Sequence, residues 1–529
     1  MTHSPPRAML LWCIILVSFV CGGLFFVMAY GGIRTADGEV VFRVGCALAN
    51  NGSFAVERDL EAWPGFALPR GVDGRQYSVF GPAQSVLLVP FIWVAETINS
   101  TRWYEHCDIP ISFAADGTSL KSYILKQRPS DMKPHALRFL VSFFNVLVAI
   151  MVVVLQLLVV HRLTGNPAAG FLTALLLGLA TPLWHYSGTM FSEPLAIAFS
   201  LGSFYILLDG FVSRKAGLYG YCIRTFSGGL LLGLGVATHI TVILSVPFFL
   251  ALALYPIIRK GGPFFRDRRA CAYITMSFIA GLGIMAALYG WYNYVRFGSF
   301  FEEGRRVPGI VHYGTFVLPW EGLVGLLASP GKGLLWFCPL LVVSVIWWKH
   351  LHRRSRYMSI VIASMALFRL VFIASRSDWH GGFCLGPRLM LLVVPFLLLP
   401  IGCRLAYMFE EAKTSVFFKP STILAFFLFF ACMIQQLYFC LGEPVSFYYM
   451  VKMAGLRHGV SVISSNQLYF HWSVSPLLHL WQGRRGPFLL QSVQMDNYSL
   501  FVSLTAGIAA VCCGLIFYLT RLNGRLYKA

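Results

Sequence analysis

Long apolar runs separated by short polar breaks occupy most of the chain, for example 137–160, 170–183, 195–208, 270–289 and 389–401. A bilayer core of about 30 Å takes about 20 apolar residues per helix, or somewhat fewer when the flanks snorkel. Lipid offers the backbone no hydrogen-bond partners, and the runs lack the two-residue alternation of barrel strands, so the pattern predicts helical spans. They are expected near 9–30, 137–160, 168–186, 190–211, 271–292, 334–348, 357–374, 388–406, 421–440 and 499–520. The run 226–255 has basic loops on both sides; a single helix of that length would be about 45 Å long. Two short helices meeting near His239 keep both loops on one side. The apolar stretch 86–94 is short, contains Pro90, and is expected to lie on or dip into the membrane surface. The first run follows Arg7, is long for a signal peptide and lacks a small-x-small cleavage site, so it reads as an uncleaved span. The fold class is therefore an all-α polytopic membrane protein with about a dozen spans.

Composition agrees. Of the 529 residues, 57% are hydrophobic and 12% charged, against about 25% charged in a soluble domain. A net charge of +20 would suit a nucleic-acid binder. Its distribution argues otherwise. The basic residues cluster in short loops: Arg214-Lys215, Arg259-Lys260, Arg266 with Arg268-Arg269, Lys349 with Arg353-Arg354 and Arg356, and Arg521 with Arg525 and Lys528. Such clusters retain loops in the cytoplasm. Both termini are then cytoplasmic, and the segments 31–136, 293–332, 375–387 and 441–498 are outer. Most of the thirteen Cys lie in apolar runs, and no Cys-x-x-Cys pair occurs. A Cys46–Cys107 disulfide in the first outer segment is one option and free thiols the other. The sequons at Asn51, Asn99 and Asn497 need no explanation beyond chance.

Ionisable residues at a membrane boundary are costly and often functional. In this topology they gather on the outer side: Asp37 and Glu39, His185 and Glu193, His239, Glu302 and Glu303, Lys332, and Arg376, Asp378, His380 and Arg388. Asp37 fits two roles, a helix N-cap or a desolvated general base. Glu39 suits compensation of the helix dipole. Lys332, in Ser-Pro-Gly-Lys-Gly, either holds an anion at a helix start or snorkels; the segment lacks Walker spacing. Arg376 and Arg388 suit phosphate, or either pairs with Asp378. His185, His239 and His380 lack metal-ligand spacing, and hydrogen-bonded interfacial histidines are the plain reading.

Five stretches, in order, resemble the GT-C superfamily of membrane glycosyltransferases. They are DGEVVFRVGCALANNGSFAV with GRQYSVFGPAQSVLLVPF, then GTMFSEPLAIAFSL, GLLLGLGVATHITVILSVPF, WYNYVRFGSFFEEG with LLASPGKGLLWFCPLL, and WHGGFCLGPRLMLLVVPFL. Within the superfamily the chain looks most like bacterial relatives of protein O-mannosyltransferases and aminoarabinose transferases. The resemblance covers about residues 35 to 400. It implies a GT-C-like catalytic membrane module over 1–411, including the outer segment 31–136. The C-terminal spans 412–529, with the outer segment 441–498 and the basic tail, lie largely beyond it. It also implies a bacterial inner or plasma membrane, an active face turned outward, and a polyprenyl-phosphate sugar as donor. The acceptor would be a glycan, lipid or protein, and the transferred group a hexose or pentose.

By the same resemblance Asp37 stands at the catalytic acidic position, with Glu39 as second candidate. Glu193, His239, Lys332, Arg376, His380 and Arg388 are the expected substrate-binding residues, and no metal ligand is expected. The resemblance implies no fixed cofactor, because a divalent metal serves some relatives and not others. Two departures stand out. Gly38 interrupts the paired acids of many relatives, and His239 replaces a frequent Arg. The expected activity is sugar transfer to an acceptor hydroxyl. The alternatives are a multi-span transporter or flippase for lipid-linked glycans, and an inactive relative that binds lipid or scaffolds partners.

Overall fold

The apolar runs are helical, as lipid requires. The computed structural model describes residues 7–56, 67–106, 133–208, 210, 217–305, 315–411, 420–461, 465–480 and 507. The expected span at 499–520, the clusters at Arg214-Lys215 and after Arg521, Cys107 and Asn497 lie outside these residues. Helix α1 (Arg7–Val27) leads into the shorter, amphipathic α2 (Ala36–Asn51). A two-stranded antiparallel ladder follows, β1 (Ala55–Val56) with β2 (Gln76–Tyr77), and then α3 (Ala83–Asn99). The bundle continues with α4 (Phe144–Thr164), α5 (Pro167–Leu179), α6 (Glu193–Leu207), α7 (Leu218–Thr238) and α8 (Val246–Ala253). It is completed by α9 (Arg268–Phe297), α10 (Arg356–Ala374), α11 (Leu399–Glu411), α12 (Pro420–Leu441) and α13 (Pro444–Arg457).

Among the described residues, six helices are long and apolar enough to cross a membrane. A seventh crossing results if α12 and α13, bent by 67° at Gly442-Glu443, count as one. Among the described residues the expected count of about a dozen is not confirmed, because several apolar runs are broken. The run near 168–186 stops at Ala180 and resumes as a short helix, Leu183–Ser187. The run near 334–348 is interrupted at Cys338-Pro339 and again at Trp347. The run 226–255 also breaks where expected. His239 is extended (φ −143°, ψ 108°) and ends α7. The Tyr221 hydroxyl then donates to the Ala253 carbonyl at 2.9 Å, tying the start of α7 to the end of α8. The two helices thus form a hairpin.

The bundle has two chemically distinct ends. At one, Arg354 donates to the Leu163 carbonyl, Tyr357 to that of Ala251, and Tyr255 packs against Tyr357. This end carries the basic clusters at 259–269 and 349–356. The other end collects the helix starts and turns bearing Asp37, Glu193, His239, Arg376 and Arg388. Asn145 closes one of these turns, donating to the Thr189 and Phe191 carbonyls at 2.6 and 2.7 Å. Tyr30 hydrogen-bonds the Gly442 carbonyl, and Arg34 lies 3.5 Å from Glu443. The C-terminal helices are therefore tied to the α1–α2 linker.

Close helix approach in lipid depends on small residues, and α7 meets α9 through glycines. A Cβ on Gly229 would sit 2.2 Å from the Phe278 carbonyl oxygen, and one on Gly281 would sit 2.1 Å from that of Phe226. This crossing places the end of α7, and with it His239. Gly229→Val or Gly281→Val should cost about 1–3 kcal/mol by overpacking, read as a lower thermal midpoint in detergent. Gly283→Ala, with open space around its Cβ, should match wild type. A wild-type midpoint for both valine variants would remove the glycine crossing from the account.

Candidate active site

Asp37 is the second residue of α2, and the cap belongs to its neighbour. Thr35 is the N-cap, its hydroxyl accepting the Gly38 N–H at 3.1 Å. The capping reading of Asp37 is thereby replaced, and its carboxylate turns instead toward Arg388. Gly38 is demanded by packing: a Cβ there would meet the Met190 Cβ at 2.6 Å. Two residues on, about 200° around the helix, Glu39 faces the other way. It is buried and takes two bonds from Arg138, at 2.7 and 3.1 Å, and one from Arg43 at 2.8 Å. Burial alone would raise its pKa. The two guanidiniums outweigh burial and hold the carboxyl below its usual range. Glu39 does not line the cavity.

That cavity, of about 550 Å³, is lined by six of the eight candidates: Asp37, Glu193, His239, Arg376, His380 and Arg388. Its centre is Arg388, delivered by the Gly386-Pro387 turn, with Gly386 at φ 53°. Its Nη1 donates to Asp37 Oδ2 at 2.9 Å, and its Nε lies 3.2 Å from Glu193 Oε1. Its guanidinium packs over Phe191 at 4.4 Å. Glu193 opens α6, where the helix dipole favours an acid. It is buried, and its Oε2 accepts no hydrogen bond among the described residues.

His239 Nε2 lies 3.5 Å from Glu193 Oε1. Its Nδ1 is 2.8 Å from the Thr241 hydroxyl, which accepts from Arg369 Nη2 at 2.7 Å. The Thr241 hydroxyl thus links the His239 ring to the Arg369 guanidinium, and the other ring nitrogen faces Glu193. Arg369 also donates to the carbonyls of Thr241 and Leu389. It pins the break after α7 to the residue following Arg388. The sequence reading passed over Arg369, although one charge in the otherwise uncharged run 357–374 is itself a signal.

Arg376 pairs with Asp378 through two 2.8 Å bonds. His380 accepts the Gly382 N–H on Nδ1 at 2.9 Å and stacks on Tyr469. Burial, reinforced by Lys332, pushes its pKa down to about 3, so it is neutral at physiological pH. Lys332 is not on the cavity. Fully buried, its ammonium donates to the Gly382 and Cys384 carbonyls at 2.8 and 2.7 Å and sits between the rings of Tyr448 and Tyr469. It braces the 380–386 turn from behind. His185 is buried beside Tyr30, Glu302 caps the Gly304 amide, and Glu303 pairs with Arg305. The other wall, unanticipated, is one face of α13, with Tyr449 and Lys452. Residues beyond 411 thus help to form the cavity. Among the described residues, no group of three or more His, Cys, Asp or Glu is placed to hold a metal ion. Asn99, one of the sequons, is buried and bonded to Trp103.

No family model and no curated protein matches the chain. Among solved structures it is similar to ArnT from Cupriavidus metallidurans in the apo state, at 13% identity and a TM-score of 0.46, covering 89% of this chain and 77% of that one. It is also similar to the same protein bound to undecaprenyl phosphate, at 15% identity and a TM-score of 0.43, with the same coverage. Likeness at this level assigns no role to any residue.

The two neighbouring acids should behave oppositely. Glu39→Ala strands two arginines and should cost about 3–5 kcal/mol, whereas Asp37→Asn, which keeps an oxygen for Arg388 while Glu193 stays beside it, should lower the thermal midpoint much less. The native Glu39 pKa is lowered, so its contribution is present above the ordinary carboxyl pKa of about 4 and fades as pH falls below it. The midpoint gap between wild type and Glu39→Ala should therefore narrow on acidification. A gap that widens would contradict the pairing.

Proposed function

We propose that the chain is a membrane glycosyltransferase that moves a sugar from a polyprenyl-phosphate donor to an acceptor hydroxyl. The observation that carries the reading is convergence. Six residues from Asp37 to Arg388, singled out by motif and order, line one cavity. That cavity lies at the end of the bundle opposite the basic clusters, which by the positive-inside rule supports an outward-facing site.

In the proposed reaction Asp37 takes the proton of the acceptor hydroxyl as its oxygen attacks the anomeric carbon. The bond from that carbon to the phosphate oxygen breaks, and its electron pair leaves with the lipid phosphate. One displacement inverts the anomeric centre. Arg388 holds Asp37 in place through the 2.9 Å contact between Nη1 and Oδ2. Glu193 Oε2 is available to a sugar hydroxyl. Its other oxygen is held by Arg388 and His239, which fixes the direction of the acceptor lone pairs. Glu39 and Lys332, first expected at the chemistry, are assigned to scaffolding.

The test is transfer by purified protein from polyprenyl-phosphate sugars to a panel of acceptors. Asp37→Asn should lower kcat by about 10²- to 10⁴-fold, the usual yield of a general base. Glu39→Gln should keep kcat in whatever fraction remains folded. Wild-type turnover by Asp37→Asn would end the mechanism.

A further inference from the structure

The cations on the cavity are not equally free to meet a ligand. Arg376 is bonded twice to Asp378, and Arg305 lies 3.1 Å from Glu303. Arg34 lies 3.5 Å from Glu443. Arg388 stands between two carboxylates, so its immediate surroundings carry net negative charge. Lys332 lies behind the wall. Lys452 differs from all of these. It lines the cavity half-buried, and among the described residues no carboxylate comes within ion-pair distance of it. Its ammonium lies 5.5 Å from the centre of the Phe383 ring, which shares the same wall.

We infer that Lys452 is the contact for a phosphate-class anion on the ligand, and that this anion docks against α13. A paired arginine has to surrender a carboxylate before it can take a phosphate, whereas an unpaired lysine does not. Lysine also suits phosphate as a mobile point charge. The setting adds the other half of an amphiphile. Val445, Tyr449, Met453 and Leu456 recur with Lys452 at helical spacing, so one cation is set in a largely apolar wall. A lipid phosphate has that polarity. The identity of the ligand as a lipid phosphate rests on the glycosyl-transfer reading; the pairing of charges does not.

The experiment measures binding of undecaprenyl phosphate, undecaprenol and inorganic phosphate to the full-length protein in detergent, by native mass spectrometry or thermophoresis. Wild type should prefer the phosphorylated lipid to the alcohol. Lys452→Gln should weaken undecaprenyl phosphate about tenfold, the scale of one charge-assisted contact, and leave undecaprenol unchanged. Lys452→Arg should restore binding. Competition by inorganic phosphate that disappears in Lys452→Gln supports the same contact with a free anion as its source. Wild-type affinity of Lys452→Gln for undecaprenyl phosphate overturns the inference, and so does an equal loss for undecaprenol, which would mark a packing defect. Full transfer by Asp37→Asn with lipid-phosphate binding lost in Lys452→Gln sinks the catalytic reading and keeps this one. The opposite pair of results does the reverse.

Discussion

A charge enclosed by apolar helices has to be paired, because its desolvation cost is otherwise unmet. At one end of this bundle that constraint is satisfied by a single guanidinium. Arg388 joins Asp37 at the start of α2 to Glu193 at the start of α6, and Glu193 is joined in turn to His239 at the end of α7. Arg369 closes the circuit from α10 by holding Thr241 and Leu389. Five segments are thus held in register by one chain of polar contacts. The glycine crossing of α7 and α9 and the Asn145-braced turn before Glu193 set the distances at which that chain can form.

Much of this was legible in the residues. The interruption of 226–255 at His239 followed from length and flanking charge, and the structure has the break there. Grouping the ionisable residues on one side of the membrane brought six of the eight candidates to one cavity. What failed was rotation. Asp37 and Glu39 look equivalent in a line of text, yet two helical steps point them to opposite faces, and only packing against Met190 and Arg138 decides which faces the cavity. Lys332 failed for a related reason. A lysine before an apolar helix has the same local pattern whether it faces a ligand or the back of a neighbouring turn. Its partners, the Gly382 and Cys384 carbonyls, are backbone groups that composition cannot mark. The α13 wall was missed because 441–498 reads as a polar outer segment, and its link to Tyr30 and Arg34 is a long-range contact with no local signal.

The charges at this end of the bundle therefore fall into two sets with different chemistry. Glu39 with its two arginines and Lys332 with its carbonyls are saturated, and Arg369 makes its contacts to Thr241 and Leu389: every one is internal, and each holds a segment in place. Asp37, Glu193 and Lys452 face the cavity with capacity left over. Saturated charges lie within a few residues of unsaturated ones along α2 and under the 380–388 turn. A short segment can in this way present a carboxylate to the cavity without loosening the helix that carries it. The same proximity explains why counting acidic and basic residues leads to the cavity yet does not rank the residues around it. Rank depends on how many of a group's hydrogen-bonding positions the fold itself has already filled.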